Sequence, residues 1–578
     1  MSKKNSHGKH LRLQEETGAV FHSWNETRYR IALVYPNTYH QGMSNLGFLT
    51  VYHLLNQRID CLCERFFLPE REELAQPGCT LLSLESGHRL TDFDLVAFSI
   101  SFENDYLNLP IFFNLSGIPF FAADRDQSSP LILFGGVCAF INPEPLAEIV
   151  DLVAVGEAEP ILPGLLDLLL DRSQNRDDCF QKLAQLPGIY APRFYSPVYA
   201  ESGEVSHLNV ETGVPEKVVR QFLNDLDQSP SRNFIQASDT EFGNMALTEV
   251  SRGCSRGCRF CAAGFVYLPP RERSLDNLLE QVELGLCQRD RIGLVAAAVS
   301  DYSAIQELQQ GILEREGQIS MSSLRLDAIN DEEVKKLYQA GHKSVAIAPE
   351  AGSQRLRNFI NKGISEEQIL ASVEMLADGG ILNLKLYFII GFPEEQQVDI
   401  DAIITLTEKI SALWREAGRK RGQLGSLILS INPFIPKPFT PFQWAGMEEE
   451  KSLKKKLRFL QAAVSHIPNT RMNNESIRAA ILQTFLSRGD RRIGKLLPRL
   501  AERDNLKQLC KKSGLCLDFY VTRERCEEEF FPWEVIDQGV KKSYLWLEYQ
   551  RAQQEKLTSP CVSGCRRCGV CGEQVNCC

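Results

Sequence analysis

The chain has 578 residues, 43% hydrophobic and 24% charged, which is the balance of a globular protein of roughly three or four domains. Its formal net charge of −10 excludes a general electrostatic attraction to nucleic acid or anionic membrane. A local basic patch could still bind either of them. The N-terminus leads into no apolar run and no stretch has the roughly 18 apolar residues of a membrane span, so we expect a cytoplasmic protein without a signal or membrane segment.

The first third of the chain alternates strand-like and helical segments. An apolar run at 31–34 ends in a polar, glycine-containing loop and a helical pattern, and similar runs follow at 95–100, 131–134 and 152–155. This alternation predicts a doubly wound, Rossmann-like α/β domain over residues 28–200, after a flexible N-terminus at 1–27. Ligands of such sheets bind at the carboxyl ends of the strands.

A second alternating region follows a small hairpin and a linker at 201–240. Strands are expected at 246–250, 292–299, 319–324, 344–348, 382–390 and 427–431. They predict a partial (β/α)6 barrel of the TIM type over 241–447, with its chemistry at the C-terminal strand ends. A second doubly wound sheet is the alternative, because periodicity does not separate the two. A mainly helical extension at 448–555, with helices at 448–465 and 474–486, and a Cys-rich tail at 556–578 complete the chain.

Three of the 18 cysteines, Cys254, Cys258 and Cys261, follow the first barrel strand. Gly253 and Gly257 permit tight turns, so three thiolates can converge on one metal centre. A structural zinc site normally has four ligands, whereas a [4Fe–4S] cluster with three cysteines keeps one iron open to a small molecule. From the spacing alone, a zinc loop completed by a distant residue and reduced structural cysteines remain alternatives.

The C-x3-C-x2-C motif, with Phe260 before its last cysteine and its place after strand one of a barrel, resembles the radical SAM superfamily. The resemblance implies that the three cysteines are catalytic and hold a [4Fe–4S] cluster whose open iron binds S-adenosylmethionine (SAM). One electron then cleaves SAM to methionine and a 5′-deoxyadenosyl radical, which abstracts hydrogen from an unidentified substrate. A reducing partner such as flavodoxin or ferredoxin would supply the electron.

The same resemblance gives further cofactor-binding candidates at the barrel strand ends. A guanidinium on strand three would match the SAM carboxylate, unless it is simply exposed, and a carboxylate after strand four would bind the ribose hydroxyls. A serine on the next helix is either a ligand or a helix cap, and a glycine in a Gly-x-Pro segment lets the backbone line the adenine pocket. The candidates are Phe260, Ser300, Asp301, Ser322, Ser323, Arg325, Glu350, Ser353, Arg357 and Gly391.

A doubly wound domain before such a barrel resembles the cobalamin-binding class of the superfamily. The whole chain resembles an uncharacterised family of B12-binding-domain radical SAM proteins through the segments SNLGFLTVYHLLNQR, NPEPLAEIVDLVAVGEAEP and PKPFTPFQW. The resemblance implies either cobalamin near Ser99, Ser101, Gly135 and Gly136, with methyl transfer, or a domain that shapes the substrate site without a cofactor. His40 is not expected as an axial ligand, because the Asp-x-His-x-x-Gly pattern is absent.

The tail carries a second group of cysteines, Cys561, Cys565, Cys568 and Cys571, followed by Cys577 and Cys578. Four thiols within eleven residues indicate a metal site, because exposed thiols at that density would oxidise. The candidates are an auxiliary [4Fe–4S] cluster, a closed zinc site, or an unstructured tail with adventitious metal.

Two basic runs keep an RNA substrate open as an alternative. Such runs are usually solvated helix faces, but they can also bind phosphates. They contain Lys451, Lys454, Lys455, Lys456 and Arg458, and then Arg488, Arg491, Arg492 and Lys495. The hypotheses are therefore a radical SAM enzyme with or without cobalamin, an RNA-modifying radical SAM enzyme, and a non-catalytic cofactor-binding regulator.

Overall fold

The computed structural model describes residues 12–171, 176–321, 325–326, 329–339, 342–562 and 564–571. Four residues that the sequence singles out as candidates, Ser322, Ser323, Cys577 and Cys578, lie outside the described residues. Within the described ranges, no helix is both long and apolar enough to cross a membrane.

The N-terminal domain is built on a six-stranded sheet. Its strands are β1 (Tyr29–Tyr35), β2 (Cys61–Phe67), β3 (Leu95–Ser99), β4 (Leu131–Gly135), β5 (Leu152–Ala154) and β6 (Ile189–Tyr190). The order is β2-β1-β3-β4-β5-β6, and only β6 pairs antiparallel. The helices are α1 (Tyr39–Met43), α2 (Leu46–Asn56), α3 (Arg71–Leu74), α4 (Leu109–Ser116), α5 (Val137–Ile141), α6 (Ala158–Leu170) and α7 (Arg176–Ala184). The predicted doubly wound α/β fold is confirmed.

Strand β2 is not predicted by the sequence pattern, because charged residues interrupt its apolar run. The Arg65 side chain is fully buried, with Nη2 at 2.7 Å from Glu16 and Nε at 2.6 Å from Glu85. Glu16 also accepts a 2.6 Å hydrogen bond from the Tyr39 hydroxyl. A buried arginine is tolerated where carboxylates neutralise it. Glu16 is thus packed against the domain, although it lies in the stretch predicted to be a flexible N-terminus.

The stretch predicted as a linker contains regular structure. Strands β7 (Tyr195–Tyr199) and β8 (Val205–Val210) form the predicted antiparallel hairpin. The next strand, β9 (Val218–Val219), pairs in parallel with residues 536–537 near the end of the chain. The linker therefore connects the N-terminal domain with the C-terminal extension as well as with the barrel.

The barrel region holds seven parallel strands, in the runs β10-β13-β14 and β15-β16-β17-β18, together with a short antiparallel pair, β11 and β12. These strands are β10 (Ala246–Glu249), β11 (Ser251–Arg252), β12 (Arg271–Glu272), β13 (Arg291–Val295), β14 (Gln318–Met321), β15 (Ser344–Glu350), β16 (Asn383–Ile390), β17 (Ser426–Pro433) and β18 (Thr470–Asn474). The last strand of the chain is β19 (Ile536–Asp537). Six of the seven parallel strands match the predicted ones.

Strand β18 is an additional parallel strand, paired with β17, beyond the six that the sequence predicts. Its sequence, TRMNN, is polar and mostly exposed, so it carries no apolar alternation. In β16 and β17, by contrast, every second side chain is buried against the helices and the others are half-buried. The barrel strands thus extend past residue 447, into the region predicted to be a helical extension.

Fourteen further described helices cover the barrel and form the extension. The predicted helices at 448–465 and 474–486 are confirmed. The helices are α8 (Ala263–Val266), α9 (Leu275–Leu286), α10 (Ile305–Glu314), α11 (Asp331–Gln339), α12 (Gln354–Phe359), α13 (Glu366–Asp378), α14 (Gln397–Arg421), α15 (Glu450–Val464), α16 (Ile477–Arg488), α17 (Arg491–Gly494), α18 (Leu497–Ala501), α19 (Leu506–Lys512), α20 (Leu517–Tyr520) and α21 (Lys542–Gln553).

Candidate active site

The three cysteines after β10 lie on one tight loop and are all half-buried. Gly253 and Gly257 have φ angles of 90° and 65°, which favour glycine over other residues. A Cβ atom on Gly253 would also lie 2.7 Å from the backbone oxygen of Tyr267. The loop is therefore shaped by glycine, as predicted.

The thiols of this loop suit an iron–sulfur cluster by their chemistry. Within the part of the chain that the structure describes, no three His, Cys, Asp or Glu side chains enclose a metal ion as they stand. Burial raises the pKa of the Cys258 thiol to about 12, and the Lys362 ammonium opposes this effect. Soft thiolate donors select iron–sulfur clusters and zinc, and binding of the metal itself displaces the thiol protons. The donor set thus fits the predicted cluster.

A half-buried ion pair lies beside the cysteine loop. Glu350, at the end of β15, has a φ of 66° and follows a register shift between β15 and β16. Its Oε1 atom lies 3.2 Å from Lys362 Nζ. Burial raises the pKa of the Glu350 carboxyl, and the Lys362 ammonium lowers it. A non-glycine residue in this strained conformation is typical of functional sites. Lys362 belongs to no motif, so sequence reasoning misses it.

A second charged group is centred on Asp301. Its carboxylate pairs with Arg256 at 2.7 Å and with Arg325 at 3.2 Å. The Arg325 guanidinium thus contacts one of the two candidates after β13, Asp301, which partly neutralises its charge. The neighbouring Ser300 hydroxyl is buried and has no hydrogen-bond partner among the described residues. Arg256 is a further site residue that the sequence does not indicate.

Ser353 and Arg357 support the loop after β15. The Ser353 hydroxyl caps α12 by accepting a 3.1 Å hydrogen bond from the backbone of Leu356, and it donates to Asp399. Arg357 is fully buried and donates to the backbone oxygens of Ala351, Gly352 and Ile364. Both side chains are occupied by the protein itself. Their predicted contact with SAM stays a prediction, and capping accounts for Ser353.

Gly391 and Phe260 contribute shape rather than charge. Gly391 has a φ of 82°, and a Cβ atom there would lie 2.8 Å from Leu453 and 2.9 Å from Glu448. The Phe260 ring packs edge-on against Phe392 at 5.7 Å, in an aromatic cluster behind the cysteine loop. Glycine is therefore needed for close packing after β16, and the aromatic side chain fixes the loop.

A cavity of about 620 Å³ lies between the N-terminal sheet and the first strands of the barrel. The sheet order begins 2-1-3-4-5, and ligands of such sheets bind at the β1/β3 switch point. Asn45 donates a 3.1 Å hydrogen bond to Ser101 at this edge. His40 does not line the cavity and instead pairs with Asp239 at 3.1 Å. Among the lining residues are Asn45, Ser99, Ser101, Gly136, Gly156, Leu247, Glu249, Arg252, Gly253, Gly293 and Ser320.

One wall of this cavity is a network of buried ion pairs. Arg252 lies 2.9 Å from Glu157, 2.7 Å from Glu159 and 3.0 Å from Glu249. Arg271 pairs with Glu157 at 2.7 Å, and Arg273 pairs with Glu249 at 3.1 Å. The charges of three carboxylates and three guanidinium groups thus cancel within the network. Because Arg252 lies two residues before Cys254, the network also fixes the start of the cysteine loop.

The C-terminal cysteines lie against the same loop from outside the barrel. The backbone nitrogen of Cys561 donates a 2.7 Å hydrogen bond to the backbone oxygen of Ser255. Cys254, Cys561, Cys565 and Cys568 line one narrow cleft. The sequence predicts each cysteine group separately and does not predict their contact.

Most of the basic side chains considered for RNA binding are paired with carboxylates. Lys456 lies 2.6 Å from Glu395 and 2.7 Å from Glu448, and Lys454 lies 2.6 Å from Glu450. In the second run Arg491 pairs with Glu144, Arg492 with Asp490 and Lys495 with Glu148, while Arg488 is fully buried. The two runs therefore offer less free positive charge than the sequence suggests.

Comparison with known proteins gives matches to both halves of the fold. Residues 47–192 match the family described as radical SAM proteins, N-terminal, and residues 248–407 match the radical SAM superfamily. The uncharacterized protein MJ0966 of Methanocaldococcus jannaschii is 31% identical over 85% of this chain and 96% of its own length. The uncharacterized methyltransferase PH0819 of Pyrococcus horikoshii is 24% identical over 50% of this chain and 60% of its own length.

Solved structures with a similar fold include OxsB, described as a cobalamin-dependent S-adenosylmethionine radical enzyme. Its complex with aqua-cobalamin and S-adenosylmethionine is 15% identical, with a TM-score of 0.44 over 91% of this chain and 79% of that chain.

Proposed function

We propose that this chain, which belongs to the radical SAM superfamily, cleaves SAM reductively at Cys254, Cys258 and Cys261 and directs the radical at a substrate in the cavity of about 620 Å³. The observation that carries the proposal is the glycine-shaped cysteine loop next to the half-buried Glu350–Lys362 pair. When bound, a [4Fe–4S] cluster supplies the electron that splits SAM into methionine and a 5′-deoxyadenosyl radical.

The charged side chains around the loop fit the parts of SAM. The Glu350 carboxylate is suited to accept hydrogen bonds from ribose hydroxyls, and Lys362 favours its ionised form. Asp301 orients the Arg325 guanidinium, which can bind the SAM carboxylate. These groups bind and orient SAM, and Phe260 and its aromatic neighbours keep the loop in place behind them.

The cavity is suited to a small-molecule substrate or to part of a larger one. Its volume is within the range of roughly 300–1,000 Å³ that is typical of small-molecule sites. Arg252 and Gly253, at the start of the cysteine loop, line it, so the cavity adjoins that loop. A few polar side chains, among them Asn45, Ser101 and Ser231, would orient the substrate.

The test is SAM cleavage by the full chain. Protein reconstituted anaerobically with iron and sulfide is mixed with SAM and dithionite, and 5′-deoxyadenosine and methionine are measured. We expect both products from the natural chain and from Cys287→Ser, which changes an exposed cysteine outside the site. Cys258→Ser should reduce the rate by a factor of about 100 or more. Equal rates for Cys258→Ser and the natural chain would contradict the proposal, and cofactor binding without cleavage would favour a regulator.

The second candidate function is cobalamin-dependent methyl transfer in the same cavity. It is favoured by the 2-1-3-4-5 strand order, which directs a ligand to the edge lined by Ser99, Ser101 and Gly136. No histidine is among the described residues that line this cavity, and His40 pairs with Asp239 instead. Cobalamin would therefore bind here without a histidine ligand. Cobalt analysis and the visible absorbance of purified protein test it. One cobalt per chain after incubation with hydroxocobalamin would support it, and no retained cobalt would leave the cavity to the substrate alone.

A further inference from the structure

The C-terminal cysteine segment repeats the pattern of the cysteine loop in the barrel. The first reads CSRGCRFC and the second CVSGCRRC, so both have the form C-x2-G-C-R-x-C. The agreement covers three cysteines, the glycine before the second cysteine and the arginine after it. The matching pairs are Cys254 and Cys561, Gly257 and Gly564, Cys258 and Cys565, Arg259 and Arg566, and Cys261 and Cys568.

The backbone repeats as well at the shared glycine. Gly257 has a φ of 65° and Gly564 a φ of 77°. A Cβ atom on Gly564 would have nothing within 4 Å, and one on Gly257 would meet only an Asn361 nitrogen at 3.8 Å. Neither glycine is needed to avoid crowding. Both are therefore needed for the left-handed turn that leads into the second cysteine.

The second segment is held firmly against the first. Besides the 2.7 Å bond from Cys561 to Ser255, Asn361 donates to the backbone oxygens of Gly257 at 3.1 Å and Thr558 at 3.2 Å. On the other side, the backbone nitrogen of Lys541 donates a 2.9 Å hydrogen bond to Cys568. The segment is thus an ordered part of the site, whereas an unstructured tail would make no such contacts.

The thiols of the second segment lie close together, next to a positively charged arginine side chain. Cys561 and Cys565 are in side-chain contact, and Cys568 is only 7% exposed. Arg567 Nε donates a 3.2 Å hydrogen bond to Cys565 Sγ, and Nη2 of the same side chain is fixed by the backbone oxygens of Ser559 and Pro560. Hydrogen bonds to sulfur are one of the features by which proteins set the reduction potential of iron–sulfur clusters.

We propose that Cys561, Cys565 and Cys568 hold a second [4Fe–4S] cluster, packed against the loop of the first. Zinc sites commonly use two separated cysteine pairs, whereas closely overlapping spacings such as C-x2-C-x2-C-x3-C are typical of iron–sulfur clusters, and this tail has the same spacings in reverse order. Cys571 is disulfide-bonded in the structure, so the proposal rests on the other three. The thiol reductant of the anaerobic reconstitution would open this disulfide by exchange, and the freed Cys571 thiolate would then complete four ligands and close the second site to SAM.

The test is the iron content of the reconstituted full chain and of matched variants. With both clusters the natural chain should bind about eight iron and eight sulfide per chain, and Cys565→Ser should bind about four. Cys258→Ser should also bind about four, in the other site, so failure at one loop is distinguishable from failure at the other. Cys287→Ser should keep the full content. Mössbauer spectra of the natural chain count the clusters without any variant.

Three results would overturn the proposal. They are about four iron per natural chain, an unchanged iron content in Cys565→Ser, and one zinc per chain that this substitution removes. Circular dichroism checks that each variant is folded.

Discussion

The loop at 254–261 and the segment at 561–568 have the same cysteine spacing and the same left-handed glycine, but different surroundings. Beside the first lie the ion pairs of Glu350 with Lys362 and of Asp301 with Arg256. The cleft at the second is lined by Leu268, Tyr544, Thr558 and Arg567. The first set of neighbours suits a charged small molecule, and the second offers one cation to the sulfur atoms.

Under the two proposals, the cysteine spacing selects a cluster at each loop, and the neighbouring side chains decide whether that cluster binds SAM. Under the proposed function the first loop leaves one iron open to SAM, and Glu350 and Arg325 are the groups proposed to bind it. A loop in a narrow cleft needs only a protein shell around its thiolates.

The arginine that both motifs share should matter only in the first. Arg259 is fully buried, lies 3.1 Å from Glu548 and donates to the backbone of Phe359 and Lys556. Arg259→Met should lower the free energy of unfolding by about 3–5 kcal/mol, because it leaves a buried carboxylate without this partner. Arg566 is exposed, so Arg566→Met should change the free energy of unfolding by less than about 0.5 kcal/mol. Urea denaturation measures both, and equal effects would contradict the account.

The ion pairs that precede the first loop should make the free energy of unfolding depend on pH, and the described residues that line the cleft at the second loop form no such network. Burial alone would raise the pKa of Glu157, but hydrogen bonds and charge from Arg271 and Arg252 lower it to about 2. Since its ordinary pKa is 4.5, this carboxylate stabilises the fold fully above about pH 4.5, and the stabilisation is lost as the pH falls toward about 2. The shift corresponds to about 3 kcal/mol.

Glu157→Gln should therefore lower the free energy of unfolding by about 3 kcal/mol at pH 7. The difference from the natural chain should shrink as the pH is lowered below 4.5, because the natural carboxyl then also loses its charge. Denaturation at several pH values provides the test. A difference that stays constant from pH 7 to pH 3 would show that the carboxylate charge is not the cause.

The shared glycines should behave alike. Gly257→Ala and Gly564→Ala should each lower the free energy of unfolding by about 1–2 kcal/mol, because both place a Cβ in a left-handed turn without creating a clash. Iron content after reconstitution should fall at the altered loop only. A cost at Gly257 alone would mean that the second segment does not need the conformation of the first.

Sequence reasoning reaches most of the fold and the cysteines, but few of their neighbours. The apolar alternation of β16 and β17 and the spacing of Cys254, Cys258 and Cys261 are local, so they can be read from the chain. Strand β2 is hidden because the ion pairs that bury Arg65 form only on folding. Strand β18 is hidden because its side chains are polar.

The pairings across the site are non-local in the same way. Lys362 meets Glu350 through the turn after α12, and the contact of Cys561 with Ser255 joins residues about 300 positions apart. The basic runs mislead for the same reason, since Arg491 finds its partner Glu144 in the N-terminal domain. Composition shows which charges exist, while only the fold shows which remain free to bind a ligand.

The most direct test of the comparison is the response of each reduced cluster to SAM, measured by electron paramagnetic resonance. Cys258→Ser protein, which retains only the cluster of the second segment, should show a spectrum that SAM leaves unchanged. The natural chain, reduced in the same way, should show a component that shifts when SAM is added, because one iron at the first loop is open. A SAM-induced shift in Cys258→Ser protein, or none in the natural chain, would contradict the assignment of SAM cleavage to Cys254, Cys258 and Cys261.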